Sequence, residues 1–247
     1  MALNKITEYI HGHPDWHATS LEDYVEWINI IRQNKTKLIF RGQRKDYPLL
    51  PSISRNNVPK SVLIHERALI KKFKEKSPPC LHLLPKTEWD WLVVAQHHGL
   101  PTRLLDWTNN PYIALWFALE SSEKIDSKPE VWVLKPEKMD IIQSVKKAMP
   151  YSGSRTKVFD PTFIIPRVRA QEGCFTLFRF VEKSKNGFVP LEKNKYLRKR
   201  LERIRIAPYA VKIIFSQLQS MGYTNERIYP NIDDVAKKIK DEVMGNV

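Results

Sequence analysis

The 247 residues carry 41 Lys and Arg against 27 Asp and Glu, a formal net charge of +14, with 42% hydrophobic and 11% aromatic side chains. A chain of this length and apolar content buries a substantial core, expected here as one domain over 20–247 behind an N-terminal segment, 1–19. Its longest apolar runs, such as Ile113 to Leu119, are far shorter than the roughly 20 residues that span a bilayer, which argues against a membrane partner.

The first residues lack both the apolar run and the small-residue cleavage site of a secretory signal. Cys80 and Cys174 are too few to staple the chain and lack zinc-site spacing. The expected compartment is a reducing cytoplasm, and no metal is expected. The charge excess favours polyanions, so a nucleic acid or nucleotide partner is expected, with an acidic partner protein as the competing explanation.

Ser20, with Asp23 three residues on, predicts a capped helix whose buried stripe is Leu21, Tyr24, Ile28 and Ile31. A short strand follows from Lys37, placing Arg41 at a strand end before Gly42. Tyr47 to Ser52 reads as an extended loop because two prolines fix φ and remove donors. A helix from Ser61, with Leu63, Arg67, Ile70 and Phe73 or Lys74 at helical spacing, stops at Ser77-Pro78-Pro79.

Another helix starts at Thr87 with Asp90 as its third-position acid and ends at Gly99, which puts His97 and His98 on its last turn. Arg103 and Asp106 are then expected in a partly solvated loop, as a salt bridge or a helix-entry cap. Asn110-Pro111 opens a helix that is apolar all round to Glu120 and therefore buried.

Val131 to Leu134 is a central-strand candidate, Phe163 to Ile165 and Cys174 to Phe180 are two more, and Arg203 to Ile206 alternates as a half-exposed strand does. Lys193 to Arg205 is the densest cationic run, readable as a phosphate-tracking face or as an edge strand studded with charge. Val211, Ile214, Phe215 and Leu218 mark a helix ended by Gly222, and Ile232, Val235 and Ile239 mark a last one. Without a regular βαβ rhythm, the expected class is α+β, a single domain with a mixed central sheet and surrounding helices.

Phe40 to Arg55, Ala95 to Ala118, and more weakly Arg169 to Phe175 with Leu218 to Tyr223 and Tyr229 to Ile232, together resemble the FRG-domain family, named for the motif present here as Phe40-Arg41-Gly42. A more distant resemblance is to arginine-type ADP-ribosyltransferases. In those an arginine at a strand end grips NAD, a Ser/Thr strand end leads into a helix, and a glutamate comes last. Arg41-Gly42 matches the first element, and Asp106-Trp107-Thr108 before Ala114 to Ala118 matches the second. The third falls on Gln171-Glu172-Gly173, where glycine ends the pattern, which leaves Glu172 or Asp106 as the carboxylate.

The resemblance implies an ADP-ribosyltransferase-like fold and an enzyme that takes NAD as substrate and modifies a macromolecule, nucleic acid slightly ahead of protein. A toxin or phage-defence effector with an inhibitory protein partner would suit such a chain. Arg41 would hold the pyrophosphate with its planar fork, and Gly42 would let the backbone approach the ligand. Glu172 or Asp106 would stabilise positive charge on the ribose, and His97 is a further catalytic candidate.

Gln96, Arg103, Trp107 and Thr108 complete the expected cofactor-binding set. Gln96 would hold a ribose or amide through both ends of its side chain, and Trp107 or Tyr112 would stack on a ring. Two rival readings remain: a non-catalytic module for a nucleotide or partner, and a metal-free nuclease using His97 and a carboxylate.

Overall fold

A computed structural model describes residues 8–10, 13–32, 37–55, 62–120, 127–144, 149–162, 165–184 and 187–244. The strands are β1 (Glu8–Ile10), β2 (His13–Ala18), β3 (Ile39–Gln43), β4 (Leu104–Thr108), β5 (Glu130–Leu134), β6 (Lys157–Phe159), β7 (Gly173–Leu177) and β8 (Leu201–Ile206). The helices are α1 (Leu21–Ile31), α2 (Val62–Lys76), α3 (Glu88–His97), α4 (Pro111–Leu119), α5 (Pro166–Ala170), α6 (Val211–Ser220), α7 (Asn225–Ile228) and α8 (Ile232–Met244).

The strands form one mixed sheet in the order β1-β2-β8-β5-β3-β4-β7-β6, with β2 and β8 parallel and the other pairs antiparallel. The fold is α+β, as expected. Alternation along the strands separates two faces. Phe40, Val131, Val133 and Ile204 meet α1, α4 and α6 on one of them. Ile39, Leu105, Trp107, Trp132 and Cys174 project to the other, beneath the loops carrying Leu49, Ile53, Phe188 and Leu197. A third cluster joins Ile70 of α2 and Leu92 of α3 to Leu104, Phe175 and Phe159.

The helix ends follow their local chemistry. Ser20 Oγ accepts from Asp23 N, Thr87 and Asp90 close a reciprocal capping box, and Asn110 Oδ1 accepts from Tyr112 N and Ile113 N ahead of Pro111. Gly99, at φ 81°, takes the left-handed turn that ends α3.

Several expectations are corrected. Arg41 is the middle residue of β3 rather than its end. The buried seam of α2 is Val62, Glu66 and Ile70, one residue away from the predicted stripe at Leu63, and Arg67 is exposed. Residues 104–108 form an interior strand instead of a loop, and Arg103 before them is buried.

β8 is an interior strand, not a half-exposed or edge one. The charge in its Leu-Glu-Arg-Ile-Arg-Ile pattern is absorbed by ion pairs, with Arg203 on Asp15 at 2.9 Å and on Glu130 at 3.3 Å. The strand candidate at Phe163 falls mostly outside the described residues, and Ile165 caps α5. The stripe Ile232, Val235 and Ile239 of α8 is exposed. No helix among the described residues is long and apolar enough to cross a membrane.

Candidate functional site

β3 and β4 share one register point, Phe40 opposite Thr108, whereas β3 pairs with β5, and β4 with β7, over five positions each. The sheet therefore parts between β3 and β4 beyond Phe40. A peptide carbonyl at such a parting loses its ladder partner and needs another donor. Arg41 supplies it: Nη1 donates to the Asp106 carbonyl oxygen at 2.7 Å. The guanidinium thus occupies the gap between the two strands.

A cleft of about 1060 Å³ opens there, lined from one side by Arg41, Gly42, Arg44 and Lys45, and from the other by Asp106, Trp107, Gly173 and Phe175. Gln96, His97, Arg55 and Arg167 complete its polar wall. Among its lining residues Arg41, Arg44, Lys45, Arg55 and Arg167 are cationic, and Asp106 is the one carboxylate. Such a cavity has the size of a ligand site and a charge suited to an anion.

Arg41 is the most deeply set of these cations. Its side chain is 17% exposed, its nearest carboxylate oxygen, Asp106 Oδ2, stands at 3.9 Å, and its Nε is buried without a hydrogen-bond partner. Burial lowers its pKa to about 10, with the Asp106 charge opposing and the nearby Arg55 charge assisting the shift, so it remains a cation at neutral pH. Arg55 is fixed by donating from Nε and Nη2 to the Leu50 carbonyl at 3.1 and 3.0 Å.

Asp106 leans into the cleft with its side chain 58% exposed. Gln96 Nε2 donates to both of its oxygens, at 3.2 and 3.1 Å, while Gln96 Oε1 accepts from Thr102 Oγ1 at 2.6 Å. Both ends of the Gln96 amide are thus used inside the protein, and it braces Asp106 rather than holding a ribose. His97, the next residue, is half-buried, and desolvation, then the His98 and Arg167 charges, lower its pKa to about 4. Its imidazole is neutral at physiological pH.

The remaining predicted site residues divide. Thr108 lines the cleft, but it is 3% exposed and its hydroxyl accepts from Asn110 N at 3.0 Å, closing the turn into α4. Trp107 is core, 3% exposed, its indole N–H donating to Thr176 Oγ1 at 3.1 Å, so it is no stacking platform. Tyr112 packs on Tyr223 with centroids 5.4 Å apart, away from the cleft lining.

Gly42 is glycine for packing, not for ligand approach. A Cβ there would lie 1.9 Å from Ala114 O and 2.6 Å from Ala118 N, backbone atoms of α4. Arg103 does not pair with Asp106: it forms a buried double bridge to Glu66, with Nε at 3.0 and 2.9 Å from the two carboxylate oxygens, and its own backbone N–H donates to Oε1 at 3.1 Å.

Glu172 stands outside the cleft lining. It is exposed, has φ 46°, and accepts from Asn110 Nδ2 at 2.7 Å while its carbonyl accepts from Asn109 N at 2.9 Å. Arg55 and Arg167 are cleft residues that sequence reasoning missed. Arg55 had a signal, as the last residue of the first motif stretch, whereas Arg167 follows a proline in an otherwise featureless segment.

No curated protein and no solved structure matches the chain. A family model described as FRG domain matches residues 36–127, which contain Arg41, Gly42, Arg55, Gln96, His97, Asp106 and Thr108, whereas Arg167, Glu172 and β7 lie beyond the match. The part of the chain that builds most of the cleft is therefore the part that matches the FRG-domain model.

Proposed function

We propose that the cleft binds a pyrophosphate-bearing nucleotide, and that the chemistry performed on it is ADP-ribosyl transfer from NAD to a macromolecule. The observation that carries this is the Arg41 guanidinium, set in the sheet gap with Nε unpartnered. A desolvated cation without a full set of acceptors gains most from a ligand that brings its own anionic oxygens. A pyrophosphate does this, and Arg55 beside Arg41 gives it a second planar donor.

The order of elements supports the transferase reading. Adjacent strands β3, β4 and β7 carry, in sequence, Arg41, Thr108 and, one residue before the last strand, Glu172. Such transfer breaks the bond between the nicotinamide nitrogen and ribose C1′, the bonding pair leaving with nicotinamide, while the acceptor's lone pair closes onto C1′ and its proton passes to solvent. Positive charge develops on the ribose, and Asp106, the carboxylate in the cleft, is the group placed to oppose it. Gln96 holds that carboxylate still. His97, kept neutral, offers a lone pair to a bound amide or hydroxyl rather than a second repelling charge.

A second reading, a non-catalytic nucleotide-binding module, draws on Glu172 standing outside the lining. Calorimetry with NAD, and chromatographic detection of nicotinamide released in the presence of RNA, DNA or cell lysate as acceptor, separate the two. Wild type should bind and release, and Arg41→Ala should bind at least about tenfold more weakly, since truncating one partner of a charged pair costs several kcal/mol. Asp106→Asn should bind but not release. Binding without release in wild type establishes the module instead, and no binding of NAD or ADP overturns both readings.

A further inference from the structure

The cationic run from Lys193 to Arg205 divides in the fold. Arg200 bridges Glu137 at 2.6 Å and also meets Asp140, Arg203 bridges Asp15 and Glu130, and Arg205 meets Asp15 at 3.1 Å. Lys193, Lys195, Arg198 and Lys199 are exposed and have no ion pair among the described residues. Four uncompensated charges within seven residues are a field that the rest of the run does not share.

The segment holding them is pinned. Leu191 and Leu197 are fully buried, Asn194 Oδ1 accepts from Tyr196 N at 3.0 Å and from Leu197 N at 3.2 Å, and the Arg155 guanidinium lies 3.9 Å over the Tyr196 ring. It is also fastened to the cleft rim. Leu191 N donates to Leu49 O at 3.2 Å, and Leu49 N donates to Glu192 Oε2 at 3.2 Å, while Tyr47, Pro48 and Leu50 of that strap line the cleft with Arg44 and Lys45. Cations on the 193–199 segment and cations at the cleft mouth thus flank one strap.

We infer that Lys193, Lys195, Arg198 and Lys199 form a nucleic-acid backbone-binding surface that leads along the 44–50 strap to the cleft. An acidic protein partner is disfavoured because a protein interface is anchored by a cluster of apolar or aromatic groups, and here the leucines turn inward and leave Tyr196, 37% exposed between Lys195 and Arg155, as the aromatic group among the four cations. Phosphate backbones need only the charges. The inference rests on the proposed function only in naming nucleic acid as the acceptor of the transfer; the surface itself does not require it.

The test is fluorescence anisotropy without NAD, using a labelled single-stranded RNA 20-mer, a duplex DNA 20-mer and polyglutamate over a salt series. The variant is K193A/K195A/R198A/K199A, with its fold checked by circular dichroism. Wild type should bind nucleic acid well above polyglutamate. The variant should bind it at least tenfold more weakly, with the slope of log K against log salt reduced by about 3 for single strands and slightly more for duplex. Its NAD affinity should be unchanged, since none of the four residues lines the cleft.

A variant with wild-type nucleic-acid affinity and slope, or a wild type that prefers polyglutamate, overturns the surface. A wild type that binds RNA through these residues but not NAD leaves the surface standing and removes the transferase reading.

Discussion

Replacing Glu66 with glutamine strips the buried Arg103 of its counter-charge without changing the volume of the site. Glu66 is fully buried and Arg103 is 2% exposed, and the carboxylate accepts from the guanidinium Nε and Nη2 and from the Arg103 backbone N–H. An amide keeps one acceptor but points an NH2 at a donor. Breaking a buried pair in this way costs roughly 3–5 kcal/mol, because the remaining charge is left desolvated. In a chain of this size that lowers the thermal midpoint by on the order of 10 °C.

Removing both charges is a different perturbation. The double variant Glu66→Gln with Arg103→Met should recover most of that loss, since no buried charge remains and the glutamine oxygen still accepts the backbone N–H of residue 103. Urea denaturation followed by tryptophan fluorescence measures all the proteins on one scale. A Glu66→Gln variant that loses less than about 1 kcal/mol, or a double variant as unstable as the single, refutes the unpaired-charge argument. The pair matters to the cleft because it ties α2 to the start of β4, three residues ahead of Asp106.

Gly42→Ala pushes a methyl into the backbone of α4, and because that helix must shift, the variant should lose about 1–3 kcal/mol or more; a wild-type melting curve would show that α4 yields freely. Burial pushes Glu130 up from the ordinary 4.5 to about 7, against the opposing pull of Arg203, so the folded protein keeps a proton that the unfolded chain gives up. The associated stability is complete below about 4.5 and is lost as pH rises through about 7. Glu130→Gln should therefore gain on wild type between pH 5 and pH 8 in urea midpoint, and parallel curves would refute the shift.

The cleft explains why its parts are hard to interpret one at a time. Gln96, His97 and Asp106 come from the end of α3 and the middle of β4, and Arg41 from β3, and they meet because the sheet parts after Phe40. Thr102 and Gln96 act as a relay that orients the Asp106 carboxylate, so a polar residue expected to touch ligand instead braces another that lines the cleft. The same parting exposes the Asp106 carbonyl that anchors Arg41.

Sequence alone determined whatever is decided within a few residues. Ser20 with Asp23, Thr87 with Asp90, Asn110 before Pro111 and Gly99 are caps whose hydrogen bonds close over one turn, and each helix they bound is where its pattern puts it. Most of the uniformly apolar 112–119 segment is buried, and Phe40, Arg41 and Gly42 line one cleft with Gln96, His97 and Asp106 from the second motif stretch. Tertiary structure alone decided which charges are paired and which are free. Arg103 found Glu66, 37 residues away, and Arg203 found Asp15, 188 away, so neither serves a ligand, while Glu172 was drawn off to Asn110. Composition gave +14 without a location. Ion pairing is a non-local choice among many carboxylates, and only the strand order that brings particular ones within reach can settle it.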